Sequence, residues 1–427
     1  MGMRVICWVV FVCIGCSAAM AQRQPDKIYR EGIQGVCFFA QGNQQALPLM
    51  ELGSGEQFEL HFDELGKQPR NYYYSFQLCN ADWSPADINV FEYIRGFTQN
   101  RIMQYRFSSN TSTAYIHYQV NLPEKSCVPI KSGNYLLKVY LDADTNQLAF
   151  TRRLLVVNNV VPILASATQP FDPVLQNSHQ KIPVSIQVKA IPMFMQQLGK
   201  LVILQNNRWE TAHIPTQPLI IRGDVVEFNA EQEAVFPAGK EYRWADLRSI
   251  RFLSDRIDRI DPQTQPPLVY LKTDAERSRS RYTYYSDGNG RFYIGTTDAA
   301  NPWWQGEYMQ VHFTFAPTSK QPYAGKDVYI WGDCTQMLSA DQSRMEWNAE
   351  KGVYEKNLLL KQGYYTYQYI TKDIRSTQAI PDPQFTEGNY FEAENEYLIL
   401  YYYRSFGARH DELLGVQKVQ AGTVLVR

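Results

Sequence analysis

The stretch "GNYLLKVYLDADTNQLAFTRRLLVV", residues 133–157, is the clearest structural signal in the chain. Two runs of leucine, β-branched and aromatic residues, each of strand length, flank the polar "DADTNQ" at 142–147. Such residues suit the pleated, half-buried surface of a strand, and a short Asp/Asn-rich break between two runs reads as a hairpin. The break also imitates the opening of a calcium loop, with Asp142, Asp144 and Asn146 at alternate positions. Gln147 then stands where the loop needs glycine, and Arg153 where it needs a bidentate Glu, so a hairpin turn is expected.

Outward from this pair the same texture continues. "YYYSFQL" (72–78) and "TAYIHYQVNL" (113–122) precede it. "KIPVSIQVKAI" (181–191), "GKLVILQNNRWETA" (199–212) and "SIRFLSD" (249–255) follow. "EYMQVHFTFAP" (307–317), "KDVYIWGDCTQ" (326–336) and "GVYEKNLLLKQGYYTYQYI" (352–370) come next, then "NEYLILYYYRSFGARHDELLGV" (395–416). Only short helical pieces are expected, for instance around 86–93 and 242–247. "SDGNGRFYIG" (286–295) reads as a tight hairpin through Asp287-Gly288 and Asn289-Gly290. No repeat of 20–50 residues is present, which excludes solenoids and propellers. The class is all-β: three immunoglobulin-like or related sandwich domains in tandem. A chain of 427 residues exceeds one hydrophobic core. The expected boundaries are 22–157, 158–305 and 306–427, the last an early-set immunoglobulin-like domain with the closing tail.

Residues 1–21 read as a secretory signal peptide: Arg4, an apolar run from Val5 to Ile14, and Ala19-Met20-Ala21 before the cut. That run falls short of the roughly 20 residues a permanent span needs. Gly15-Cys16 offers the alternative of a lipoprotein, though Cys13 stands where such boxes carry Leu. The mature chain would keep Cys37, Cys79, Cys127 and Cys334. An exported protein permits disulfides, but four cysteines do not define a pairing. Cys37, Cys79 and Cys334 sit among strand-like neighbours and read as buried thiols.

Charged residues make up 20% of the chain and the formal net charge is -1, so no electrostatic case exists for nucleic acid. The basic run "ERSRSR" (276–281) reads as a solvated loop. None of the six histidines stands in a zinc spacing, and no nucleophile elbow, phosphate loop or dinucleotide fingerprint occurs. No catalytic residue, metal or cofactor is therefore expected, and no obligate small-molecule ligand. Asp82, Asp87 and Glu92 would be the acids of a catalytic cleft. The structural reading is stronger: Asp82 fixes a turn ahead of Ser84-Pro85, with Trp83 packed beneath it.

"CNADWSPADINVFEYIRGFTQNRI" (79–102), which has no clean period of two or 3.6 as far as Phe97, is followed by "SSNTSTAYIHYQVNLP" (108–123) and "EGNYFEAENEYLILYYYRSFGARHDELLGV" (387–416). With "GDCTQ" (332–336) and "LLLKQGYYTYQY" (358–369), they resemble the plug proteins of the type IX secretion system of Bacteroidota. His410 departs from the pattern, which favours Tyr there. The resemblance implies a non-enzymatic periplasmic protein, peripheral to the outer membrane through its partner, a large β-barrel translocon. It would bind and seal the barrel's inner mouth when no cargo occupies it. Trp83, Phe91, Tyr93 and Phe97 are the candidate anchors for that partner, with self-packing of the loop as the competing account. An alternative of another class is a secreted glycan-binding protein. The segment from 328 resembles early-set domains beside starch- and glycogen-binding modules, with Trp331, Trp347 and the pair Trp303-Trp304 as sugar platforms.

Overall fold

The computed structural model describes residues 26–191, 199–215, 217–376 and 380–422. The signal-peptide cleavage site and Cys16 lie outside the described residues. The regular structure of the described residues is almost all strand, arranged around three main hydrophobic cores.

The first core lies between two sheets. One runs in the order Lys27–Ile28, Leu148–Val157, Gly133–Leu141, Tyr72–Cys79, Asn100–Arg101, with Leu49–Glu51 added parallel to Leu148–Val157. The other runs Ile33–Ala40, Phe58–Leu65, Tyr115–Leu122, Gln104–Phe107. Alternate residues point inward, as a pleat requires. Phe58, Leu60 and Phe62 from one sheet therefore meet Tyr72, Tyr74, Phe76 and Leu78 from the other. Phe62 lies edge-on to Tyr72 and Phe150 and stacked on Tyr118. The expected hairpin is present: Asp142 and Ala143 take positive φ, and the Asn146 amide donates to Asp144 Oδ1.

The other two units do not follow the expected boundaries. Lys200–Gln205 pairs with Asn395–Tyr403, which pairs with Glu412–Ala421. The closing tail thus completes the middle unit rather than the third. In turn Arg243–Asp246 pairs with Gly363–Asp373, and Ile257–Asp261 and Leu268–Leu271 extend the sheet of Tyr308–Ala316 and Val353–Lys361. Residues from 243 therefore belong with the third unit, not with a middle domain reaching 305. The reason is visible in "NEYLILYYY", every residue of which is buried. Tyr397, Ile399, Tyr401 and Tyr403 face the middle core, while Leu398, Leu400 and Tyr402 face the first unit. A strand covered on both faces reads as an unbroken apolar run, and such a run does not specify its neighbours.

Two smaller expectations also change. Arg243–Asp246 is a strand, not a helix, and the helical piece near 86–93 is a single turn at Val90–Glu92. Phe292–Ile294 pairs with Gly363–Asp373 instead of closing a hairpin through 287–290. Asn289 and Gly290 do take positive φ, but as a turn in an irregular connection.

Candidate docking surface

The stretch after Tyr72–Cys79 has two halves with different fates. From Asn80 the chain turns tightly: the Asn80 amide donates to the Ser84 carbonyl, and the Ser84 amide and hydroxyl both donate to Asp82 Oδ1. Asp82 thus does the turn-fixing expected of it. Trp83 adopts φ 66° and turns inward, only 6% exposed. Its ring meets Trp209 of the middle unit edge-on at 5.0 Å, and the Arg153 guanidinium lies 4.8 Å over it. Tyr93 is 7% exposed and packs near Tyr135. Trp83 and Tyr93 are therefore internal and withdrawn as surface anchors. A ring beside Asp, Ser and Pro builds the loop's own core and, here, a joint to the next unit.

The second half faces solvent. Asn89 caps the turn Val90–Glu92, accepting from the Phe91 amide, while Glu92 Oε1 accepts from the Asn89 amide. The rigid turn holds Phe91 outward, 71% exposed. Ile94–Gly96 pairs with Cys127–Pro129. Gly96 sits at φ 103°, where a Cβ would collide with the Ser126 carbonyl, so only glycine permits the close approach. Phe97 follows at once, 67% exposed.

The closing motif folds back onto this stretch. Asp411 accepts from the Ala81 amide at 3.0 Å, Lys200 Nζ at 3.0 Å and Arg404 Nε at 2.8 Å. Burial raises its pKa, but these three donors outweigh burial and hold the carboxyl below its ordinary value. Asn134 donates to the Asn80 carbonyl and accepts from the Tyr402 hydroxyl at 2.7 Å. Arg409 pairs with Glu92 at 3.0 Å, tying the loop of Phe406, itself exposed, to the turn of Phe91. His410 is buried, and its Nε2 has no hydrogen-bond partner. Phe406 was not singled out from sequence. Its only signal was a lone aromatic between Arg404 and Arg409.

Asp82, Asp87 and Glu92 are all exposed. A titratable cluster forms elsewhere, at the contact of the first and third units. Asp63 accepts from His117 Nδ1 at 2.7 Å, the Tyr308 hydroxyl at 2.6 Å and Lys361 Nζ. His117 Nε2 meets His61 Nδ1 at 3.1 Å, and His61 Nε2 meets Glu59 at 3.1 Å. Trp303 stacks on His61 at 3.9 Å and closes the cluster. Burial raises the pKa of Asp63, but Lys361 and His117 reverse this and keep it ionised. Burial, then the neighbouring His117, pushes His61 down to about 4. The two histidines lie 56 positions apart in sequence, and nothing local announces their contact.

The expected sugar platforms are occupied by protein. Trp303 stacks on His61, Trp304 lies under Arg106, Trp331 under Arg208 and Trp347 edge-on to Tyr354. None of the four is exposed. Cys37, Cys79, Cys127 and Cys334 are separate thiols, the first three buried and Cys334 half-buried. Among the described residues no His/Cys/Asp/Glu cluster is placed to hold a metal ion, and no helix is long and apolar enough to cross a membrane.

Residues 33–158 match the family model described as type 9 secretion system plug protein 1st domain. This segment carries the first domain of the type 9 secretion system plug proteins, the family that the motifs resemble. The matched segment spans the first sandwich and the whole stretch just described. A crystal structure of a hypothetical protein from Parabacteroides merdae is 33% identical, with a TM-score of 0.88. The alignment covers 93% of this chain and 99% of that one, so the two chains share their architecture through all three units. No curated protein matches the chain. The domain match ties the protein to type IX secretion in a plug role and to contact with that machinery in the cell envelope.

Proposed function

We propose that the protein is a non-enzymatic periplasmic plug, which binds and seals the inner mouth of the outer-membrane type IX translocon barrel when cargo is absent. The observation that carries this reading is the family match over residues 33–158. The architecture supports it. A plug must hold its shape against a pore, and the three units meet through buried contacts rather than linkers. Between the first and middle units these are Trp83, Trp209, Leu400 and Tyr402; between the first and third, Asp63, Lys361 and Tyr308. A plug must also leave when cargo arrives, and a few aromatic anchors in a polar rim suit a reversible interface. Phe91 and Phe97 supply such anchors on a face flanked by Arg95, Glu92 and Arg409.

The test is affinity purification of the tagged protein from detergent-solubilised outer membranes, followed by mass spectrometry. A very large barrel protein is expected at near-stoichiometric amounts, and it is expected to disappear when cargo-loaded complexes are selected. A clean monomer without a barrel partner would overturn the proposal.

A further inference from the structure

The first sandwich is left open along one side. The chain crosses from one sheet to the other between Asn100–Arg101 and Gln104–Phe107, and each of these strands is the last in its sheet. Gln104–Phe107 pairs on one side with Tyr115–Leu122 and, among the described residues, has no strand on the other. The Ser108 amide donates to the Tyr115 carbonyl, so by antiparallel alternation Arg106 and Gln104 exchange bonds with His117 and Gln119. The amides and carbonyls of Tyr105 and Phe107 then point to the open edge. All four residues of the strand are exposed. Tyr105 is 45% and Phe107 55% exposed, although Tyr105 stands opposite the core residue Tyr118. An edge of unpaired backbone groups beside exposed apolar side chains is a template for an added strand, which most folds blunt or cover.

Charge specifies the occupant further. Residues 93–123 contain Arg95, Arg101 and Arg106 and no Asp or Glu, in a chain whose net charge is -1. Arg101 donates to the neutral Asn71, and Arg106 lies over Trp304. None of the three has a carboxylate partner among the described residues. A second copy of the same edge would bring like charges together. We propose that the open edge at Gln104–Phe107 is a docking site for an extended acidic segment of a partner protein, which adds to this sheet as a further strand. Backbone pairing supplies the adhesion, Tyr105 and Phe107 receive alternate apolar side chains, and Arg101 and Arg106 select for carboxylates. The inference stands apart from the identity of the barrel.

The experiment uses the full mature chain and two synthetic eight-residue probes, one alternating Val with Glu and the other Val with Lys. Hydrogen exchange is read by mass spectrometry and affinity by titration. The acidic probe is expected to slow exchange over 103–108 at least tenfold and to bind at least tenfold more tightly than the lysine probe. Tyr105→Pro removes an outward N–H without touching the ladder to Tyr115–Leu122, and it is expected to abolish protection at Phe107. The pair Arg101→Glu and Arg106→Glu is expected to invert the preference between probes, a result that unfolding cannot imitate. Protection elsewhere, equal binding of both probes, or no binding by either would overturn the proposal. So would concentration-dependent dimerisation through this edge, which would make a second copy the occupant.

Discussion

The first unit is joined to its two neighbours by chemically opposite contacts. Against the middle unit it presents Trp83, Leu136, Leu155 and Val157 to Val202, Leu204, Leu398 and Leu400, an apolar seam with Asp411 at its margin. Against the third unit it presents Asp63, His61 and His117 to Lys361, Tyr308 and Trp303. The apolar seam draws on area removed from water and loses strength gradually as atoms are trimmed. The polar joint depends on each buried group keeping its partner, so removing one leaves another stranded. The first is expected to tolerate pH and the second to tolerate neither acid nor single substitutions.

The largest expected effect tests the polar joint. Asp63→Asn leaves Lys361 buried without its counter-charge and is expected to cost about 3–5 kcal/mol in urea denaturation. Adding Lys361→Met should restore much of that loss; if the double variant is as unstable as the single, the joint is not governed by charge pairing. Trp83→Ala tests the apolar seam and is expected to cost about 3 kcal/mol, near the low end for a buried tryptophan, because Arg153 and Trp209 lie close enough to settle into the space. A loss below about 1 kcal/mol would show that the seam does not rest on this ring.

A smaller effect separates the joints by pH. His61 has a folded pKa of about 4, below its ordinary 6.5. The unfolded chain therefore binds the proton first, and stability falls as pH drops from 6.5 towards 4. Between pH 7 and pH 5 this one group is expected to remove about 2 kcal/mol. His61→Gln should make that part of the stability profile shallower, with the buried His117, also held below its ordinary value, keeping part of the slope, whereas Trp83→Ala should leave the slope unchanged. The smallest expected stability change is at the exposed anchors. Phe91→Ala and Phe97→Ala should each shift unfolding by less than about 0.5 kcal/mol, while the pair weakens recovery of the barrel at least tenfold. Undiminished recovery would remove these two side chains from the interface.

Much of the architecture was legible because strands announce themselves locally. Alternation in "YYYSFQL" and the Asp/Asn break after Leu141 each depend on neighbours in the chain, and both appear where expected. The family, too, was readable from long motifs such as "CNADWSPADINV". Of the four candidate anchors, Phe91 and Phe97 stand exposed, while Trp83 and Tyr93 were placed inside by contacts with Trp209 and Tyr135. No local pattern tells a buried tryptophan from an exposed one in a stretch without a period.

An all-β chain, the hairpin at 142–147, the turn held by Asp82 and the resemblance to plug proteins follow from the residues alone, since each rests on short-range patterns or on an unbroken motif. The packed molecule was needed to show that the closing strands 395–421 complete the middle unit, that Asp411 meets Ala81 across 330 positions, and that two histidines, an aspartate and a lysine from distant strands share one buried joint. Strand pairing satisfies backbone groups that are the same in every residue, so the chain's chemistry does not name the partner. The partner is set by which apolar faces can be covered together once the whole molecule is packed.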